Sequence, residues 1–305
     1  MPRLQRSRSV ELYNSQAVKM ITAIVVTHNS GNFVSKVVER LRAQTLRPFK
    51  ICIVDCGSSD LSYLYDIPPG PDLEIAKEEN VGFCRANNIA VRSRSELSEY
   101  YIFINPDAFI SENWIREATE YLESDGNEGV GVVSSPLRGY DPVSDRPTGL
   151  YDSLGIERHW YGLWYDRGKG NIVENTIVAR YPFEPTAICG ALMLFRGSLI
   201  KQLLDENSQI FDESLFMYKD DIELSLRVRR AGWHLRILPH LVAFHCRGWN
   251  SKRDFAPIWA RRLSALNDMK VALKHRSAYI IIYAVKYVYV RLLETKILAK
   301  LNGSR

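Results

Sequence analysis

The chain has 305 residues, 46% apolar and 25% charged, a composition that excludes disordered and collagen-like classes and allows one large α/β core. Charge is uneven: residues 1–19 carry a net +3 and residues 251–305 a net +9, so the body between carries −7. An acidic body with basic, Tyr- and Ile-rich ends points to an anionic membrane surface rather than nucleic acid, although a basic helix packed on its own domain explains the C-terminal part equally well. Cys52, Cys56, Cys84, Cys189 and Cys246 form no CxxC or zinc spacing, as expected of reduced, mostly buried thiols in a cytosolic protein.

Residues 1–19 lack the apolar core of a signal peptide and read as a flexible basic leader. From Met20 strands and helices alternate, the pattern of an α/β domain with a largely parallel sheet. "ITAIVVT" (21–27) is a strand, followed by a helix with Val34, Val37, Val38 and Leu41 at helical spacing. "KICIVD" (50–55) and the weaker "LEIAKE" are strands, and 82–94 is a helix beginning at Gly82. In "YIFINPDAFI" Pro106 cannot donate to a ladder, so the strand should stop there and leave the carboxylate of Asp107 at its tip. A helix over 111–124 with Ser111 as its N-cap and the strand "GVGVVSS" come next.

Residues 136–185 show no sustained period and read as a long functional loop region. It holds Tyr151, His159, Trp160, Tyr161, Trp164 and Tyr165, aromatics that either stack on sugar rings or fill a core. The apolar "ICGALMLF", an acidic helix start in "KDDIELSLRVRRAG" (219–232), the paired strands "LRIL" and "LVAFH", and two amphipathic basic helices complete the chain. None of these reaches the roughly 18 uninterrupted apolar residues of a membrane span.

Thr27-His28-Asn29, Asp55 to Asp60 and Asn105-Pro106-Asp107 each follow a strand, where open α/β sheets bind ligands. Each cluster alone is ordinary turn chemistry, with Asp107 a plausible cap of the next segment, but three together mark a site. No GxGxxG follows the first strand, which excludes a nicotinamide dehydrogenase, and "THNSGN" lacks the basic residue of a nucleotidyltransferase loop. Asp220, Asp221 and Glu223 fall within one turn of a helix start, where acids suit the macrodipole. Adjacent acids also raise one another's pKa, which suits a group that must take a proton.

"AIVVTHNSGNF", "ICIVDCGSSD", "NVGFCRANNIAVR", "YIFINPDAFI", "CGALMLFRGSLI" and "FDESLFMYKDDIELSLRVRRAGW" stand in the order and at roughly the spacing of inverting glycosyltransferases of family 2. The resemblance covers residues 20–250, and the Asn-Pro-Asp variant is similar to the rhamnosyltransferase-like branch of bacterial surface polysaccharide synthesis. It implies a GT-A fold, an α/β architecture whose nucleotide-binding mixed sheet is flanked by helices, with the amphipathic helices of 251–305 appended. It also implies a nucleotide-sugar donor, dTDP-rhamnose first and a UDP-hexose or UDP-N-acetylhexosamine as alternatives, and a divalent Mg2+ or Mn2+. The acceptor would be a glycan or lipid-linked glycan, reached by a cytoplasmic enzyme at the inner face of the cell membrane.

Carried onto this chain, the resemblance places Thr27, Asn29, Asp55 and Ser58 around the nucleotide, with Asp55 accepting from the base. Gly82 and Arg85 lie at the helix entry, where the Arg85 fork suits a phosphate or sugar oxygen. Asp107 would bind the metal, while Asn105, which stands where the wider family has Asp, is counted with the residues that bind the donor. Asp221 is the expected catalytic base, and Asp220, in place of the family's Glu, is a second candidate. His245 either completes the metal site or is structural, and Arg247 is a candidate for the diphosphate. The aromatic loop 149–170 would order over bound donor and shape the acceptor site. The departures at Asn105 and Asp220 leave open an inactive sugar-binding or scaffold protein.

Overall fold

A computed structural model of the chain describes residues 19–93, 96–247 and 256–294, so the leader to residue 18 and part of the C-terminal basic segment lie outside it. Strand β1 (Ile21–Thr27) pairs in parallel with β2 (Lys50–Cys56), and β3 (Leu73–Glu78) extends the sheet beyond β2. The chain then returns to the other side of β1, where β4 (Tyr100–Ile104) also pairs in parallel. Strand order therefore reverses between β1 and β4, the switch point at which such sheets open a ligand crevice. β6 (Val130–Ser134) and β11 (Leu192–Arg196) follow, with β11 antiparallel to both β4 and β6, and β12 (His234–Ile237) closes the edge beside β6.

The strands are apolar on both faces because both faces are covered. Ile21, Ala23, Val25, Ile51 and Ile53 pack with Val34, Val37 and Leu41 of α1 (Gly31–Arg42) and with Trp114 and Ile115 of α3 (Trp114–Glu123). Ile24, Val26, Val54 and Phe103 pack on the opposite side with α2 (Phe83–Arg92), α4 (Gly197–Asn207) and α5 (Asp220–Arg230). The period of two along each strand thus divides one sheet between two helical layers.

A second, four-stranded sheet has the order β5 (Ala108–Ile110), β13 (Ala243–His245), β7 (Leu137–Asp141), β8 (Arg146–Ser153). The strand of "YIFINPDAFI" does end at Ile104, but the chain resumes at Ala108 in this other sheet, so Asn105-Pro106-Asp107 is the crossover between two sheets. Residues 136–185 are correspondingly not a bare loop: they hold β7, β8 and the hairpin of β9 (Ile156–Arg158) and β10 (Trp164–Asp166). β8 starts on Arg146 and Pro147, exposes its first five residues and pairs with two register shifts, so no alternation survives in its sequence. "LRIL" and "LVAFH" are not partners either, since β12 adds to β6 and β13 lies between β5 and β7. The helix expected from residue 111 starts at Trp114 with Asn113 as N-cap, while the Ser111 carbonyl accepts from the Trp114 N–H at 3.0 Å.

α6 (Ile258–Lys274) and α7 (Ile280–Val288) follow. α6 is not a free basic helix: Asn267 and Asp268 are buried against the body, and Lys274 pairs with Asp212 at 2.5 Å and Glu223 at 2.9 Å. α7 and the turn after it expose Ile281, Val285, Val288 and Leu292 at helical spacing. No helix among the described residues is long and apolar enough to cross a membrane. The five cysteines are free thiols, with Cys52, Cys56 and Cys84 buried and Cys189 and Cys246 half-buried.

Candidate active site

The carboxyl ends of β2, β1 and β4 bring the first group of expected residues into one row, with Thr27 opposite Asp55 in register. Asp55 is buried and accepts from the Ser58 N–H at 3.0 Å and the Ser58 hydroxyl at 2.5 Å. The Tyr63 hydroxyl donates to Asp55 and lies 3.3 Å from the Thr27 hydroxyl, and burial together with Asp55 pushes the phenol up to about 12. Asn29 takes a left-handed backbone (φ 51°); its N–H donates to the Ser58 hydroxyl at 2.8 Å and its side-chain carbonyl accepts from the Ser59 N–H at 2.9 Å. Two loops are thereby locked together over the strand ends.

Gly82 caps α2 with φ 84°, and a Cβ there would come within 2.4 Å of the Phe216 ring, so only glycine fits. Arg85 is exposed on the first turn of α2.

The crossover turn is fixed on both sides. The Asn105 N–H donates to the Ala191 carbonyl at 2.9 Å, and the Asp107 carbonyl accepts from the Cys246 N–H at 3.0 Å. His245 Nε2 lies 3.3 Å from Asp107 Oδ1, and its Nδ1 lies 2.9 Å from Asp152 Oδ2. Burial opposes charge on all three groups, yet the pairing wins: Asp107 and Asp152 are held below the usual carboxylate range and His245 is raised to about 9. Arg247 is held by Asp152 at 2.5 Å and Asp166 at 2.7 Å, so two carboxylates already occupy the guanidinium expected at the diphosphate.

No three His, Cys, Asp or Glu side chains among the described residues form a metal cage. Asp107 and His245 nevertheless present an oxygen and a nitrogen at the spacing of neighbouring ligands, and Asp152 on the far ring nitrogen orients the imidazole as an outer carboxylate does. A cation shared with substrate phosphates and water needs only one or two such side chains. The donor set fits that kind of site.

The acidic helix start divides in two. Glu223 is fully buried among Arg227 at 2.9 Å, Lys274 at 2.9 Å and His275 at 3.3 Å. Burial works against its charge, but His275, Arg227 and Lys274 bring it down to about 2. Asp220 and Asp221 go the other way: burial raises both, the neighbouring Asp221 charge adds to it at Asp220, and the Gly190 N–H and Lys219 ammonium partly offset it at Asp221. Asp221 Oδ2 accepts from the Gly190 N–H at 3.1 Å.

β11 runs antiparallel to β4, so its start lies beside the end of β4, and Gly190 and Ala191 receive Asp221 and Asn105 on adjacent residues. The Asn-Pro-Asp turn and Asp221, far apart in the chain, are thus anchored on one dipeptide. Tyr63, Asp152, Asp166 and Lys219 were not expected from the sequence. Asp152 and Asp166 lie in the stretch that lacks a period, Tyr63 in a short 3-10 turn, and Lys219 beside acids that drew the attention.

Residues 22–222 match the family described as Glycosyl transferase family 2. The chain is 26% identical over 242 residues to rhamnosyltransferase WbbL of Escherichia coli K12, covering 74% of this chain and 83% of that one. It is 23% identical over 286 residues to the N-acetylglucosaminyl-diphospho-decaprenol L-rhamnosyltransferase of Mycobacterium tuberculosis, covering 86% and 83%. In fold it is similar to the mannosyltransferase PcManGT of Pyrobaculum calidifontis, solved with GDP-Man and Mn2+, at a TM-score of 0.56 and 18% identity over 90% of this chain and 70% of that one. GalNAc-T7, solved with UDP, GalNAc and Mn2+, has a TM-score of 0.61 at 15% identity, over 85% of this chain and 50% of that one. Both are GT-A glycosyltransferases, so the mixed sheet has the expected GT-A architecture. The chain belongs to glycosyl transferase family 2, the family that its six motifs resemble.

Proposed function

We propose that this glycosyltransferase moves rhamnose from dTDP-rhamnose to a hydroxyl of a lipid-linked glycan in surface polysaccharide synthesis, by one displacement with inversion. The observation that carries this reading is the meeting of Asp221 and the Asn-Pro-Asp turn at Gly190-Ala191. The choice of sugar is supported by the two rhamnosyltransferases among its relatives.

Thr27, Asn29, Asp55 and Ser58 would receive the nucleotide at the ends of β1 and β2, with Gly82 and Arg85 alongside. Asp107 and His245 would hold a divalent cation, Mg2+ or Mn2+, which supplies neutralising charge to the departing diphosphate. Burial makes Asp221 a stronger base than a surface aspartate. It would take the acceptor hydroxyl proton as that oxygen attacks the anomeric carbon from the face opposite the diphosphate. The bond to the diphosphate breaks in the same step, so no covalent enzyme intermediate forms.

Two features support an acceptor at a lipid surface. The Mycobacterium tuberculosis relative is named for a decaprenol-linked substrate, and α7 exposes Ile281, Val285 and Val288 on one side within the basic C-terminal segment. Trp160, 86% exposed, lies on the β9–β10 hairpin, and its carbonyl accepts from the hydroxyl of Tyr279, the residue before α7, at 3.0 Å. This aromatic edge would face the acceptor.

Thermal shift against dTDP-, UDP- and GDP-sugars, with and without Mn2+ or Mg2+, tests the reading on wild type and Asp107→Ala. Metal-dependent stabilisation by dTDP-rhamnose that disappears in Asp107→Ala is expected. A shift with a different nucleotide class would replace the donor, and no shift with any would favour a protein that has lost transfer.

A further inference from the structure

The loop that delivers Asp220 and Asp221 has an unusual backbone. Phe216, Tyr218 and Lys219 all have left-handed φ, at 62°, 69° and 66°, and none is glycine. Such residues persist only where the surroundings over-determine them. Here the surroundings come from α6. The side-chain amide nitrogen of Asn267, fully buried, lies 2.8 Å from the Leu215 carbonyl, 2.9 Å from that of Met217 and 3.0 Å from that of Tyr218, its two N–H groups shared among them. The next residue, Asp268, lies 3.5 Å from the Lys219 ammonium and 2.5 Å from that of Lys286 on α7.

We propose that Asn267 and Asp268 are positioning residues for the transfer step, stapling loop 215–219 so that Asp220 and Asp221 point into the site. The proposal rests on the assignment of the base to this carboxylate pair. α5 itself is held by apolar contacts through Ile222, Leu224 and Val228, so the staple acts on the residues just before it. It also reaches the donor side, because the Phe216 carbonyl accepts from the Cys84 N–H at 3.0 Å while the Phe216 ring packs on Gly82. Lys286 joins α7 to the same carboxylate. The C-terminal helices are therefore part of the transfer machinery and not only an attachment to it.

The test uses the full chain as Asn267→Ala and Asp268→Asn, with Asp268→Glu as the conservative variant and Asp221→Asn beside them. Release of nucleoside diphosphate gives kcat, and calorimetry with dTDP or UDP and Mn2+ gives the nucleotide Kd. A fall in kcat of tenfold or more in the first two variants, with Kd within twofold and recovery in Asp268→Glu, is expected. A kcat within twofold of wild type overturns the proposal. So does loss of folding or of nucleotide binding in both variants, which would assign the pair to the fold at large. Activity retained in Asp221→Asn would remove Asp221 as the base but leave the staple to be decided by the first two variants.

Discussion

The two ends of the site are built differently. At the proposed nucleotide end Asp55 is satisfied by Ser58 and Tyr63, neutral donors three and eight positions away, so a short piece of chain makes its own pocket. At the proposed transfer end Asp107, Asp152, Asp166 and Asp221 are set against His245, Arg247 and Lys219, partners drawn from much of the chain. The first end is locally preorganised, whereas the second exists only when the whole fold is assembled. Environment also gives the carboxylates different roles, since ion pairing holds Asp107 and Asp152 charged while burial keeps Asp220 and Asp221 basic.

Asp221→Asn breaks the transfer end most directly. It should lower kcat by about 10²–10⁴-fold, the usual contribution of a positioned base, while nucleotide Kd from calorimetry stays near wild type. A parallel loss of nucleotide affinity would show that the two ends are not separable.

Acid should act behind the transfer end, through Glu223. Its folded pKa of about 2 lies below the ordinary 4.5, so its stabilisation is complete above pH 4.5 and is lost as pH falls towards 2. Linkage puts this at about 3 kcal/mol. Urea unfolding between pH 6 and pH 3 should show the decline, and a flat profile would mean that the cluster of Arg227, Lys274 and His275 does not hold the charge.

Tyr63→Phe is the mildest change and sharpens the other side of the comparison. Loss of one donor to buried Asp55 should cost about 1 kcal/mol, lowering Tm by about 1–2 °C and weakening nucleotide binding about fivefold. Single-turnover transfer at saturating donor should be unchanged.

These differences also explain what could be read from the sequence. β1, β2 and β4 are apolar runs because both faces are buried, and each ends in a polar cluster, so the strands and the residues proposed for the nucleotide were legible together. Asp107 and Asp221 were legible through their motifs. Asp152 was not, because it meets His245 across 93 positions and sits in a strand whose alternation is broken by register shifts. α6 was open to two readings for a related reason: its inner face carries Asn267 and Asp268 and its lysines serve internal partners, so in sequence its basic residues resemble a membrane face as much as a packed one.

The short strand β13 carries one further consequence. Ala243 and His245 point to one face of the second sheet and Phe244 to the other, where it packs on Tyr140. Slipping its pairing by a single position would exchange imidazole for phenyl beside Asp107. The ring contact between Phe244 and Tyr140 therefore acts as a registration mark: an apolar contact outside the polar site determines which side chain that site receives.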